Sequence, residues 1–236
     1  MRAVGAEALQ PHIIEQADDE NWIKLEWSVS ETLWCSVGWP ITYRWKLHLR
    51  TKHLSSSHIR DDDIPSLPQG LSAVQVLADF MKYLFRSARN YIVEMHASGS
   101  SMWRSLENQI EFVLTHPNGW EGPQQQQIRR AALIAGLVSS DDDGQSRLHL
   151  LTEGEASLHF CMTTVFSSDT FSKTPILCSD ESDGQDTTDY SDYQGIAIID
   201  AGGGTVDMSV YSMTFSPSLS VKEIAPAECK YLTQSY

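Results

Sequence analysis

A three-glycine run between two aspartates constrains this chain more than any other feature of its sequence. An apolar segment over residues 195–199 ends at Asp200, and Gly202, Gly203 and Gly204 then interrupt it. Beyond the glycines, apolar and polar residues alternate. The alternating apolar residues, predicted to share one face, are Val206, Met208 and Val210. Two strand patterns joined by glycines predict a β-hairpin with a glycine tip.

The residues of this tip suit the binding of a phosphate and a metal ion. A plain tight turn needs one or two glycines, whereas three in succession let several backbone N–H groups converge on an anion. Thr205 adds a hydroxyl donor beside them. Asp200 and Asp207 repel phosphate, but carboxylates are suited to a hydrated Mg²⁺ ion lying between them and the phosphates.

The tip differs from the other common phosphate-binding loops. The chain contains no Gly-x-x-x-x-Gly-Lys-[Ser/Thr] sequence and no Gly-x-Gly-x-x-Gly sequence. A P-loop and a Rossmann dinucleotide site are therefore not indicated.

Composition narrows the functional classes further. The 236 residues include 17 basic and 31 acidic side chains, a net charge of −14, so nucleic-acid binding and docking to a membrane surface are not expected. No apolar run approaches the ~18 residues that span a bilayer. The four cysteines are scattered without a Cys-x-x-Cys pair, which argues against a zinc site or a disulfide framework. These features predict a cytoplasmic globular protein.

The periodicity between residues 70 and 166 predicts an α/β layer fold. In chain order the predicted elements are a helix over 72–96, a short helix over 102–108, a strand over 109–115, a helix over 124–137, a strand over 147–152 and a helix over 153–164. The first helix begins at a capping box formed by Ser72 and Gln75. A turn is predicted over 141–144, and weak alternation over 43–49 predicts one strand.

Breaks in composition predict four regions along the chain. Residues 1–69 are irregular, with short strands and loops, and residues 70–166 form the α/β core. Residues 167–193 are predicted to be an acidic flexible linker, and residues 194–236 carry the glycine hairpin.

The stretch from Asp200 to Asp207 resembles the second phosphate motif of the actin-like ATPase superfamily, in the form used by the heat shock protein 70 family. Upstream, residues 112–117 resemble the family's strand ending in Val-Pro-Ala, and residues 128–137 resemble its following helix. Residues 151–156 resemble its Asn-Glu-Pro-Thr-Ala motif, with Gly154 at the usual proline. Divergent, chiefly fungal members of this family have similar sequences at these motifs, so the resemblance covers roughly residues 70–228.

The resemblance implies an actin-like ATPase (ribonuclease H-like) fold that is incomplete, with residues 1–166 in the first lobe and residues 194–236 beginning the second. It implies a chaperone-type ATPase domain that binds ATP or ADP with Mg²⁺, and co-chaperones or client proteins as partners. Glu153, Asp200 and Asp207 would be the catalytic carboxylates and would hold the metal through water. Gly202, Gly203, Gly204 and Thr205 would surround the phosphates.

The chain also departs from the family pattern. The first phosphate hairpin, Asp-x-Gly-Thr-Thr, is absent, Leu9 stands where the catalytic lysine is expected, and the chain ends at Tyr236 before the adenosine-binding motif. Hydrolysis by this chain alone is therefore not expected, because phosphoryl transfer depends on positioning and charge stabilisation. The alternative is a truncated or degenerate pseudoenzyme that acts as an interaction or scaffold protein. A sugar or acetate kinase on the same fold is a third hypothesis.

Overall fold

The fold was analysed in a computed structural model. The structure describes residues 3–4, 7–20, 22–26, 32–35, 42–43, 45–50, 62, 64, 66–67, 69–164, 193–202, 205–214 and 220–231. These residues form a mixed α/β structure, as the sequence predicts. Within these ranges, no helix is both long and apolar enough to cross a bilayer.

The described helices alternate with strands in the middle of the chain. The α-helices are α1 (Pro11–Asp19), α2 (Ala73–Met95), α3 (Gly99–Leu106), α4 (Gly122–Ala135), α5 (Asp142–Ser146) and α6 (Glu153–Thr164). Short 3-10 helices cover Glu7–Leu9, Trp45–Leu49 and Glu107–Gln109. The strands are β1 (Ala3–Val4), β2 (Ile23–Glu26), β3 (Thr32–Cys35), β4 (Thr42–Tyr43), β5 (Phe112–His116), β6 (Leu148–Thr152), β7 (Tyr193–Ala201), β8 (Thr205–Thr214) and β9 (Ser220–Tyr231).

The contacts divide the chain into two compact units. Unit 1 contains Met1–Leu114, Trp120–Leu150 and Lys230–Tyr236, and unit 2 contains Thr115–Gly119 and Leu151–Cys229. This grouping differs from the predicted boundary after residue 166, because α6 packs against β7 and β8 of unit 2. The predicted linker over 167–193 lies outside the described residues except for Tyr193, which begins β7.

The start of unit 1 is a small sheet with the strand order β1-β3-β2-β4. Strand β3 pairs antiparallel with β1 and β2, and β4 pairs parallel with β2. The sequence predicted short strands here but missed α1, which begins at Pro11, where the ring fits the first helical turn. The single strand predicted over 43–49 is wrong: Trp45–Leu49 is a 3-10 helix that buries Trp45, Leu47 and Leu49.

The core of unit 1 lies between α2 and α4. The predicted helix over 72–96 is confirmed, and the Ser72 side chain accepts a hydrogen bond from the backbone N–H of Gln75. The Gln75 side chain bonds Asp79 instead of completing the capping box. On α4, Ala131 and Ala132 are fully buried, and their small side chains let the two helices approach closely.

The other elements predicted for the middle of the chain are also confirmed, with shifts of a few residues at their ends. Strands β5 and β6 pair with each other and are joined through α4, the connection that parallel strands require. Helix α4 ends at Gly136, whose φ of 75° is the left-handed conformation that glycine adopts without steric cost. The turn predicted over 141–144 is instead the short helix α5, capped by the Asp141 side chain.

Unit 2 is built on a sheet with the strand order β7-β8-β9, on which α6 packs. Its core consists of Leu158 on α6, Ile198 on β7 and Tyr211 on β8, with Ile196 and Val221 packed beside them. Pro226 lies on β9, an edge strand of this sheet, where the missing N–H is tolerated.

Candidate functional site

The predicted glycine hairpin is confirmed in unit 2. Strands β7 and β8 are antiparallel, and their register places Asp200 directly opposite Asp207 and Ala201 opposite Val206. Directly opposed residues lie on the same face, with Cβ atoms about 4.5–5.5 Å apart. The hairpin therefore brings the two predicted carboxylates together beside its tip.

The tip itself is described only in part. Gly202 is exposed and follows β7, and the backbone of Thr205 begins β8. The Thr205 side chain, Gly203 and Gly204 lie outside the described residues, so the predicted phosphate contacts of the tip stay predictions.

The inner face of β8 is polar at its beginning and apolar farther along. Asp207, Ser209, Tyr211 and Met213 are all buried, with Asp207 and Ser209 each only 1% exposed. The alternating apolar residues predicted to share one face lie on the opposite, outer face of β8. On that face Met208 is 41% exposed and pairs with Ile199 on β7, which is 61% exposed. The alternation predicted the strand correctly but marked the outer face.

Asn118 contacts this polar start of β8. It lies in the loop 117–119 that follows β5, within the segment Thr115–Gly119 of unit 2, and it is completely buried. Its backbone N–H donates to Oδ1 of Asp207 at 2.6 Å. Its side-chain Nδ2 lies 3.0 Å from Ser209 Oγ and 3.2 Å from the backbone oxygen of Met208, with a longer 3.4 Å contact to the Glu228 oxygen on β9.

Gly154, the second residue of α6, completes the packing around Asn118. A Cβ atom at position 154 would lie 2.3 Å from Ser209 Oγ and 3.2 Å from Asn118 Oδ1. Because a carbon cannot approach an oxygen as closely as 2.3 Å, only glycine fits here without displacement. A proline at this position would add ring atoms in the same space. We call Asn118, Gly154, Asp207 and Ser209 the Asn118 cluster.

Glu153 is the first residue of α6 and is half-buried. It neighbours Gly154 in the chain, and Gly154 faces Ser209, which lies two residues from Asp207 on the same face of β8. Glu155 has a different role. Its carboxylate accepts from the backbone N–H and hydroxyl of Thr152, whose hydroxyl in turn accepts from the Glu155 N–H. This capping box starts α6 and leaves Glu153 outside it.

The same face of β8 carries one titratable group with a shifted pKa. Burial raises the pKa of Tyr211, and the negative charges of Glu223 and Glu155 raise it further, while a hydrogen bond with Ser209 acts in the opposite direction. Tyr211 therefore stays neutral at physiological pH and serves the core beneath the polar cluster.

A direct metal-ligand cluster is not present in the described part of the chain: no three His, Cys, Asp or Glu side chains there are grouped so that they could hold an ion. The local arrangement at the hairpin is a pair of opposed carboxylates. A pair suits an ion held through its water shell, because each carboxylate then contacts coordinated water rather than the metal.

The sequence singled out Asp200 and Asp207 but missed the residues that support them. Neither Asn118 nor Ser209 is among the site residues that the sequence predicts. One signal was available: the Pro-Asn-Gly sequence after the predicted strand favours a turn, from which a polar side chain can face a neighbouring strand. The long-range contact across about ninety residues of sequence carries no local signal.

Leu9, which occupies the position expected for the catalytic lysine, is in the 3-10 helix Glu7–Leu9 of unit 1 and is 56% exposed. An exposed leucine offers no positive charge to a phosphate.

In comparisons with known proteins, the chain matches no family model and no curated protein.

Proposed function

We propose that this chain carries part of a heat shock protein 70-like nucleotide-binding domain with the actin-like ATPase fold, and that it binds ATP or ADP with Mg²⁺ at the β7–β8 hairpin. The observation that carries the proposal is the register of that hairpin. Asp200 and Asp207 face each other across the two strands, and the glycine run lies between them in the chain.

The electrostatics of the pair support a cation. Like charges placed directly opposite on a sheet are destabilising, by an amount comparable to the roughly 0.2–1 kcal/mol of a favourable pair. Asp207 is almost fully buried and Asp200 half-buried, so water screens this repulsion incompletely. A hydrated Mg²⁺ would neutralise both carboxylates and the nucleotide phosphates. The protein supplies the two fixed carboxylates for its water shell.

Glu153 is the third carboxylate of the proposed site. It begins a helix whose second residue packs against the strand that carries Asp207. Glu155 caps the helix, and we assign the role of metal carboxylate to Glu153 in the same turn. Gly202, Gly203 and Gly204 would offer backbone N–H groups to the phosphates, with the hydroxyl of Thr205 beside them.

Binding is proposed, and turnover by this chain alone is not. Phosphoryl transfer needs a positively charged group beside the transferred phosphoryl oxygens as well as a positioned metal. Leu9 supplies none at the position where the resemblance expects a lysine. Co-chaperones or client proteins are the partner classes that the resemblance suggests.

Thermal unfolding with ADP tests this proposal. A ligand at one hundred times its Kd stabilises the folded state by about 2.7 kcal/mol. We expect ADP with Mg²⁺ to raise Tm, EDTA to remove the increase, and Asp200→Asn to abolish it. An unchanged Tm at millimolar Mg·ADP would refute nucleotide binding by this chain.

A second candidate function is a degenerate member that acts as an interaction or scaffold protein. Two observations favour it: Leu9 at the lysine position, and the exposed cross-strand pair Ile199 and Met208 on the outer face of the hairpin. Contiguous exposed apolar patches mark surfaces that contact other proteins, and this pair would contribute to such a patch. ATPase activity that is lost on Asp200→Asn would contradict this function.

A further inference from the structure

Asn118 lies in the loop that follows β5 and contacts β8 and β9 in unit 2. Its backbone N–H donates to the Asp207 carboxylate, and its side-chain Nδ2 reaches Ser209 Oγ and the backbone oxygens of Met208 and Glu228. We propose that Asn118 is a positioning residue for Asp207, and that it holds this carboxylate in the orientation used for the hydrated metal. The part that concerns the metal rests on the proposed function.

The orientation of the Asn118 amide is determined by its neighbours. Nδ2 faces the backbone oxygens of Met208 and Glu228, which can only accept hydrogen bonds. Exchanging the oxygen and nitrogen of the amide would place Oδ1 against both of them. The side chain is therefore a donor toward β8 and β9.

The bond from the Asn118 backbone fixes Asp207 because it is short and charge-assisted. A distance of 2.6 Å from an N–H to a carboxylate oxygen is at the short end of such bonds. A backbone N–H can only point where its loop directs it, and the three Nδ2 contacts hold this loop. The side chain thus acts on Asp207 through the backbone of its own residue.

The size of the Asn118 side chain is matched to the space available. Its Oδ1 is buried and accepts no hydrogen bond from the described residues, and it lies 3.2 Å from where a Cβ of Gly154 would be. A longer amide would need room that α6 and Ser209 already occupy. The asparagine at position 118 therefore fits only because position 154 carries no side chain.

Positioning is the role that follows, because preorganised carboxylates bind an ion without reorganising at the moment of binding. Once the loop is released, the Asn118 N–H no longer constrains the Asp207 carboxylate. We therefore expect loss of Asn118 to weaken the magnesium dependence of nucleotide binding. The affinity for nucleotide without metal should be unaffected, since Asn118 is proposed to act only through the Asp207 carboxylate.

The test compares Asn118→Ala with Asn108→Ala, a control that removes an exposed asparagine side chain in unit 1. The first readout is amide hydrogen exchange at residue 118 in ligand-free protein, followed by NMR with intrinsic rates corrected. We expect exchange about five- to tenfold faster in Asn118→Ala, the change that loss of one ordinary net hydrogen bond produces. The carboxyl carbon resonance of Asp207 should shift in Asn118→Ala and stay unchanged in Asn108→Ala.

The second readout is the Mg²⁺ concentration that gives half-maximal ADP binding. We expect it to rise about tenfold in Asn118→Ala, the equivalent of one charge-assisted contact, with metal-free ADP affinity unchanged. A merely structural residue would lower both affinities together. Ser209→Ala removes only one Nδ2 partner and should give an intermediate effect, so it serves if Asn118→Ala does not fold.

The two proposals fail in different ways. Unchanged exchange at residue 118 and an unchanged Asp207 resonance would overturn the role of Asn118, whether or not nucleotide binds. If the wild-type protein shows no magnesium-dependent ADP binding, the proposed function fails and the metal part of this inference fails with it. The exchange measurement would still decide whether Asn118 holds Asp207.

Discussion

Replacing Gly154 by alanine should test the packing of the Asn118 cluster directly. The new Cβ would lie 2.3 Å from Ser209 Oγ, whereas ordinary contacts begin near 3.4 Å, so one of the two must move by about 1 Å. Ser209 cannot yield freely, because it is 1% exposed and its hydroxyl accepts from Asn118. Overpacking of this kind costs about 1–3 kcal/mol of the free energy of unfolding.

The double variant Gly154→Ala/Ser209→Ala should lose much of that cost. Without the hydroxyl, the nearest atoms to the new Cβ are Ser209 Cβ and Asn118 Oδ1, both at 3.2 Å, so a few tenths of an ångström suffice. We expect the two substitutions to be non-additive, with the double variant more stable than the sum predicts by about 1–2 kcal/mol. The helix propensity gained by alanine is the same in both backgrounds and cancels in the cycle.

Urea unfolding followed by circular dichroism measures the unfolding free energies of the wild type, the two single variants and the double variant. Gly195→Ala is the matched glycine control, since nothing lies within 4 Å of its added Cβ, and its effect should stay within about 0.5 kcal/mol. Ser212→Ala, on the opposite face of β8, is the serine control. An equal cost of Gly154→Ala with and without the Ser209 hydroxyl would refute the steric argument.

Further substitutions separate the roles of neighbouring groups. Glu155→Ala should lower the unfolding free energy by about 0.5–2 kcal/mol through loss of the capping box. Glu153→Ala should remove the Tm increase with Mg·ADP, and an increase that survives this substitution would contradict the assignment. Gly136→Ala should cost about 1 kcal/mol or more in urea unfolding, because its φ of 75° strains any side chain; a neutral result would be inconsistent with the described cap. Burial, a hydrogen bond to Glu7 and the Glu7 charge raise the pKa of Tyr83 from 10.0 to about 12. The stability that the protonated Tyr83 contributes to the folded state is therefore complete below pH 10 and disappears as pH rises through 12. The Tm deficit of Tyr83→Phe should therefore shrink between pH 10 and pH 12, and a constant deficit would show that the pair is not coupled.

The parts of the fold that the sequence predicted are those with strong local patterns. The long apolar face of α2 and its Ser72 cap, and the glycine run between β7 and β8, each depend on neighbours in the chain. The segment Trp45–Leu49 was misread because alternation over so few residues also arises in a 3-10 helix whose odd-numbered residues are buried. Local periodicity does not distinguish the two cases.

The sequence predicted the two carboxylates of the candidate site but not the residues that pack around them. Asp200 and Asp207 flank a glycine tip, so their opposition follows from hairpin geometry. The Asn118 contact joins residues far apart in sequence, and the need for glycine at position 154 arises only when α6 meets Ser209. Both features depend on tertiary packing between distant segments, which local sequence patterns do not specify.

Isothermal titration with Mg·ADP tests the central claim most directly, that the opposed pair Asp200 and Asp207 forms a magnesium-dependent nucleotide site. The comparison is wild type, Asp200→Asn and Asp19→Asn, the last being an equal charge change at the exposed end of α1. We predict saturable heat for wild type and Asp19→Asn, and none for Asp200→Asn or in EDTA. Without ligand, Asp200→Asn should be more stable than wild type, because it removes like-charge repulsion across the hairpin. The absence of heat from the wild-type protein at millimolar Mg·ADP, or binding that survives Asp200→Asn, would contradict the claim.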